Sequence, residues 1–218
     1  MDFIKPEDIE KESMRIIENE LAARGITIPE ERRAIVMRTI HTTADFDFAK
    51  VLRFTDNAVS DAVSALRGGV IVTDTNMVRA GISKPAAEKL HCAVRCHMAD
   101  EDVAVEAKRR GVTRATVSVE RTFRDCPHAI FAVGNAPTAL LKIAECVEAG
   151  ARPAMVIGVP VGFVNVVESK ERALAACERH GVPAIIAMGR KGGSTVAAAI
   201  CNALLYTAAG LLEPESRQ

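Results

Sequence analysis

The stretch Ala184-Ile185-Ile186-Ala187-Met188-Gly189-Arg190-Lys191-Gly192-Gly193-Ser194-Thr195, continuing as a helical pattern to residue 209, decides the fold. An apolar run with no polar face, then a glycine-rich turn, then a long helix, describes a strand buried on both sides that feeds a crossing helix. The same phrase occurs twice upstream. Residues 154–159 lead through Gly158-Val159-Pro160-Val161-Gly162-Phe163 into a helix over about 165–180, and residues 129–133 lead through Gly134-Asn135-Ala136-Pro137-Thr138 into a helix over 138–148. Further back, Val70-Ile71-Val72-Thr73 precedes Asp74 and a short helical turn. Residues 115–119 read as another strand after a charged helix over 100–110. Strands alternating with helices predict an α/β fold, a three-layer α/β/α sandwich around a mainly parallel sheet.

Residues 1–67 read mostly as helix. Pro6-Glu7-Asp8 opens a first helix that runs to Arg24 before Gly25. Pro29 opens a second to about His41, and a third spans about 56–66. No repeat, low-complexity segment or linker divides the 218 residues, so 1–218 is expected to form one unit with its helical N-terminal segment packed on the rest.

Composition narrows the function. Lys+Arg and Asp+Glu number 28 each, and this balance argues against a nucleic-acid binder that works by neutralising phosphates with surplus cations. Aromatic residues are 4%, without Trp and with Tyr206 as the one Tyr, too few for a base-stacking platform. The opening MDFIKPEDIE lacks the apolar run of a signal peptide. The longest apolar stretch, 196–212, is broken by Asn202 and Gly210 and falls short of the roughly 20 residues of a membrane span. It is expected to be a buried helix or one at a subunit interface. The six cysteines then read as free thiols of a reducing compartment, and the protein as cytoplasmic.

Three glycine-rich loops at the carboxyl edge of a parallel sheet suggest a rim that accepts anions, because glycine lets backbone approach a ligand and helix N-termini offer free N–H groups. Loop geometry alone also demands Gly and Pro at such turns. Asn135, Thr138, Ser194 and Thr195 on these loops are candidate contacts for carboxylates or amides. Asp74 fits either a residue that orients a donor or a helix N-cap. Nucleotide fingerprints do not fit: Lys191 precedes the glycine pair where a Walker loop has it after the last glycine, and no strand is followed by GxGxxG. The run His91-Cys92-Ala93-Val94-Arg95-Cys96-His97, with Cys126 and His128, has metal-ligand residue types but no CxxC pair, and reads first as a strand or turn carrying small apolar cysteines.

His41 stands where the second helix runs out, three residues from Arg38 and on the same face. Histidine exchanges protons near neutrality. A neighbouring arginine disfavours its protonated form until a bound anion offsets that cation, so an anionic substrate could turn this histidine into an acid. A helix-end histidine beside a solvated arginine is the plain alternative.

The strings Arg38-Thr39-Ile40-His41 and Ile9-Glu10-Lys11-Glu12-Ser13 resemble the N-terminal signature of the precorrin-8X (cobalt-precorrin-8) methylmutases. Further matches follow in order: Thr73-Asp74-Thr75-Asn76-Met77-Val78, then Gly134-Asn135-Ala136-Pro137-Thr138-Ala139-Leu140, Gly158-Val159-Pro160-Val161-Gly162-Phe163-Val164, Glu168-Ser169-Lys170, and Gly189-Arg190-Lys191-Gly192-Gly193-Ser194. The resemblance covers about residues 5–210. It implies an isomerase of corrin synthesis that moves a methyl group from C11 to C12 of the macrocycle, without redox cofactor or catalytic metal. It further implies that His41 is the catalytic proton donor, that Ser13, Arg38 and Arg114 contact the polycarboxylated corrinoid, and that the protein is a homodimer with its site near the subunit interface. Arg114 is the looser match, with Arg109, Arg110, Arg121 and Arg124 close by. A carrier that binds a corrinoid intermediate without changing it would share the anion rim but not need His41.

Overall fold

The computed structural model describes residues 8–213 and 216. In chain order the elements are α1 (Ile9–Ala23), α2 (Glu30–Thr43), α3 (Phe48–Val51), β1 (Leu52–Phe54), α4 (Ala58–Ala65), β2 (Val70–Thr73), α5 (Asn76–Gly81), α6 (Lys84–Lys89), β3 (Ala93–Arg95), α7 (Glu101–Arg110), α8 (Arg114–Asp125), β4 (Ile130–Val133), α9 (Pro137–Glu148), β5 (Met155–Gly158), α10 (Val166–His180), β6 (Ala184–Ala187) and α11 (Ser194–Ala209). The strands form one sheet in the order β1-β6-β5-β4-β2-β3, parallel throughout except that β1 pairs antiparallel with β6.

Strand residues alternate between two cores, which explains the continuous apolar runs. Ile71, Ile130, Ala132, Met155, Ile157, Ile185 and Ala187 face one helical layer. Val72, Phe131, Val133, Val156, Ala184 and Ile186 face the other. A parallel strand with helices on both sides has no polar face. α2, α4, α5 and α6 pack on α11 in the first layer, while α7 to α10 form the second. Helix α11 is therefore apolar because it lies between the sheet and those four helices. Burial, the first of the two sequence readings, accounts for it.

Two strand assignments differ from expectation, and the short helices α3 and α6 are not among the expected elements. Residues 115–119 belong to helix α8, not to a strand. The order Ala115-Thr116-Val117-Ser118-Val119 mimics period-two alternation. The buried residues are Ala115, Val117, Ser118, Val119 and Thr122; all but Val117 form one stripe at helical spacing, and two members of that stripe, Ser118 and Thr122, are polar. Thr113 caps the helix by accepting from Thr116 N at 3.2 Å. Replacing Thr113 by alanine is expected to cost about 1 kcal/mol in urea unfolding, the usual loss for an N-cap. No change at all would mean that water replaces the cap. The second difference is β1, a strand of Leu52-Arg53-Phe54 whose only ladder is the one with β6. Three residues are too short to carry a periodic signal.

Candidate active site

The order of the strands reverses between β4 and β2, and the chain closes this crevice itself. Asp74, which follows β2, accepts three backbone N–H groups from the loop after β4: Gly134 at 2.9 Å, Asn135 at 2.7 Å and Ala136 at 2.7 Å. Neither sequence reading of Asp74 describes this; Thr75, not Asp74, caps α5. Burial holds the Asp74 carboxyl above the ordinary aspartate range, against the opposing pull of those three donors. Gly134 is glycine because α11 starts against it: a Cβ there would lie 2.8 Å from Ser194 Cα.

The expected anion rim is thus partly self-occupied. The first loop gives its donors to Asp74. Gly162 N donates to Arg190 O at 3.3 Å, and Gly193 N to Val159 O at 2.8 Å. The N-terminus of α11 has no side-chain cap, and Ser194 and Thr195 stand there. Thr75 Oγ1 and Ser194 Oγ lie 3.1 Å apart, and Thr113 Oγ1 and Thr138 Oγ1 lie 3.0 Å apart. These contacts put Asn135, Thr138, Ser194 and Thr195 on one rim, with exposed Arg114, the first residue of α8, following the Thr113 that meets Thr138. Arg114 and Arg190 have no ion pair among the described residues, whereas Arg110, Arg121 and Arg172 are held by carboxylates. Arg190 instead lies over the exposed Phe163 ring, 5.5 Å from its centroid.

His41 lies in the last turn of α2, exposed to solvent, and Ala44 ends that helix in the left-handed region at φ 53°. With Ser13, Glu20, Arg24 and Phe46 it lines a cleft of about 420 Å³ between α1 and α2. Ser13 Oγ donates to Ile9 O, leaving its lone pairs for a ligand donor. Arg38 shares the helix but turns into a neighbouring cleft of about 540 Å³, where it pairs with Glu10 at 2.6 Å and lies 4.8 Å over Tyr206. The cation that shares the His41 cleft is Arg24, stacked 4.1 Å over Phe46. Sequence spacing could not find it, because it comes from another helix.

Between the His41 end and the rim stands Lys191, whose Nζ pairs with Asp45 at 2.7 Å and Asp47 at 2.6 Å. Lys170, on α10, is fully buried and donates to Gly189 O and Lys191 O. Burial lowers its pKa to about 8, which still leaves the ammonium dominant at neutral pH.

The Cys/His run is dispersed. Cys92 enters the first core, His97 Nδ1 meets Asp100 at 3.1 Å, and Cys126 Sγ accepts from Arg95. Among the described residues no three His, Cys, Asp or Glu side chains converge on a point where a metal would sit. All six cysteines are free. No described helix is long and apolar enough to cross a membrane.

The sequence model of the precorrin-8X methylmutase family matches residues 8–207. The cobalt-precorrin-8 methylmutase of Priestia megaterium is 40% identical over 92% of this chain and 88% of its own length. The precorrin-8X methylmutase of Pseudomonas aeruginosa is 36% identical over 94% and 97%. A crystal structure of precorrin-8x methyl mutase from Thermus thermophilus superposes with a TM-score of 0.84 at 38% identity, covering 93% of this chain and 96% of that one.

Proposed function

We propose that this chain, which belongs to the precorrin-8X methylmutase family, carries out its isomerisation with His41 as proton donor. The protein is an isomerase of corrin biosynthesis, and we assign it the migration of a methyl group from C11 to C12 of precorrin-8X or cobalt-precorrin-8, giving hydrogenobyrinate or cobyrinate. The C11–methyl bond breaks as the C12–methyl bond forms, so the step is intramolecular and redox-neutral, and the proposal assigns it no cofactor and no metal. His41 lends a proton to the macrocycle, which eases migration, and recovers it afterwards.

The observation that carries this reading is the exposed His41 imidazole opening with Ser13 into a cleft of about 420 Å³, within the roughly 300–1,000 Å³ of small-molecule sites. The substrate's acetate and propionate fringe asks for bidentate arginines and placed donors. Arg114, Asn135, Thr138, Ser194 and Thr195 would hold one edge, Ser13 and Arg38 another, with Arg38 exchanging Glu10 for a substrate carboxylate. Fixing the fringe holds the ring still under the proton donor, so positioning supplies much of the catalysis. The assignment includes a homodimer, in which two copies complete one site. With no charge excess and few aromatics, the partner is the corrinoid rather than nucleic acid or a membrane, and the reaction belongs in the cytoplasm.

The test is to offer purified protein precorrin-8X and cobalt-precorrin-8 separately and follow the visible spectrum. Conversion to the product spectrum is expected, and the two rates identify the preferred form. A spectrum that shifts once on binding and never becomes that of the product would make the protein a carrier.

A further inference from the structure

Lys170 is a fully buried lysine with no ion pair among the described residues. An ammonium out of water is costly unless it is hydrogen-bonded, and here two carbonyls of one loop, Gly189 O and Lys191 O, accept from it at 2.8 Å each. That loop needs an external hold. Gly189, Gly192 and Gly193 sit at φ 72°, 158° and 132°, and a chain this rich in glycine has many conformations to lose. A Cβ on Gly192 would stand 2.1 Å from Val159 O, so the loop is also pressed directly onto the neighbouring one.

From the same loop the Lys191 side chain reaches out to Asp45 and Asp47. These residues form the turn just past Ala44, where the His41 helix ends; Asp45 Oδ1 accepts from Asp47 N, and Thr43 Oγ1 from Asp45 N. An exposed lysine–aspartate pair on a loose backbone fixes little. With its own carbonyl clamped by Lys170, Lys191 becomes a tether with one end anchored.

We infer that Lys170 is a positioning residue: from the far layer of the sandwich it fixes the Gly189–Gly193 loop, and through Lys191 and the Asp45–Asp47 turn it sets the end of the helix that presents His41. The catalytic half of this inference rests on His41 as proton donor; the mechanical half does not.

Backbone hydrogen exchange of the full-length protein and steady-state kinetics test both halves on Lys170→Met, Lys191→Met and the double variant. Each single change is expected to speed exchange of amides 42–47 about fivefold or more and to lower kcat about tenfold, with KM moving less than about twofold. The double variant should be no worse than Lys170→Met, because both cut one linkage. Faster exchange confined to 189–193, or kcat losses that multiply in the double variant, would overturn the relay. If Lys170→Met does not fold, the exposed Lys191→Met carries the test through the same two readouts. Turnover that survives His41→Ala would remove the catalytic half alone, since exchange at 42–47 still reports the tether.

Discussion

Replacing His41 by alanine is expected to lower turnover by about 10²–10⁴-fold, the range of a lost general acid, while the protein stays folded. The imidazole is exposed in the last turn of α2 and has no hydrogen-bond partner among the described residues. Its contribution to the fold is limited to a helix-end interaction of about 0.3–1 kcal/mol when protonated. Binding should largely survive, because the carboxylate fringe is assigned to Arg114, Arg38 and the loop donors. The signature is therefore a collapse of kcat with a small change in KM, together with a corrinoid spectrum that shifts on mixing and then stands still. His41→Asn, which keeps a polar group but cannot exchange a proton near neutrality, should behave like alanine. Full turnover in either variant would end the proton-donor role. A loss confined to KM would make His41 a binding residue instead.

The parallel sheet was legible because it rests on repetition: three strand–glycine loop–helix phrases each constrain the others, and α11 begins and ends where its pattern does, at Ser194 and Ala209. His41 at a helix end was legible too, although α2 continues to Thr43. What escaped depends on partners distant in the chain. Lys170 looks in sequence like any solvent-facing lysine of a charged helix; its acceptors are carbonyls 19 and 21 residues later, and a carbonyl carries no sequence signal. Arg38 and His41 share a face by spacing, yet Glu10 from α1 draws the arginine into another cleft. The anion rim was drawn from glycine-rich loops and the helix N-termini they open, and neither can say whether its N–H groups are already taken. Asp74, some sixty residues before the loop it serves, has taken three N–H groups of one such loop, those of Gly134, Asn135 and Ala136.

That carboxylate leads to the second large effect. Replacing Asp74 by asparagine is expected to destabilise the protein by about 2–4 kcal/mol in urea unfolding, because a buried, multiply bonded acceptor is being replaced. Asparagine keeps one acceptor oxygen but turns an NH₂ group toward N–H donors of Asn135 and Ala136, which lie 2.7 Å from the present oxygen. Two donors then face each other at a largely buried carboxyl position, and the loop that carries Asn135 and opens α9 has to move. The pH dependence separates this from simple loss of packing. Burial raises the Asp74 pKa above that of the unfolded chain, so the folded state gains a proton first as pH falls. Its contribution to stability is then fully present below the unfolded value and is lost as pH rises through the folded one. Asparagine cannot titrate, so the gap between wild type and Asp74→Asn should widen as pH falls through the raised folded-state pKa and level off below the ordinary aspartate pKa of about 3.9. A gap that narrows on acidification would mean that the three N–H groups outweigh burial and hold the carboxyl below the ordinary range. The closed crevice would then be an anion site filled by the protein's own charge.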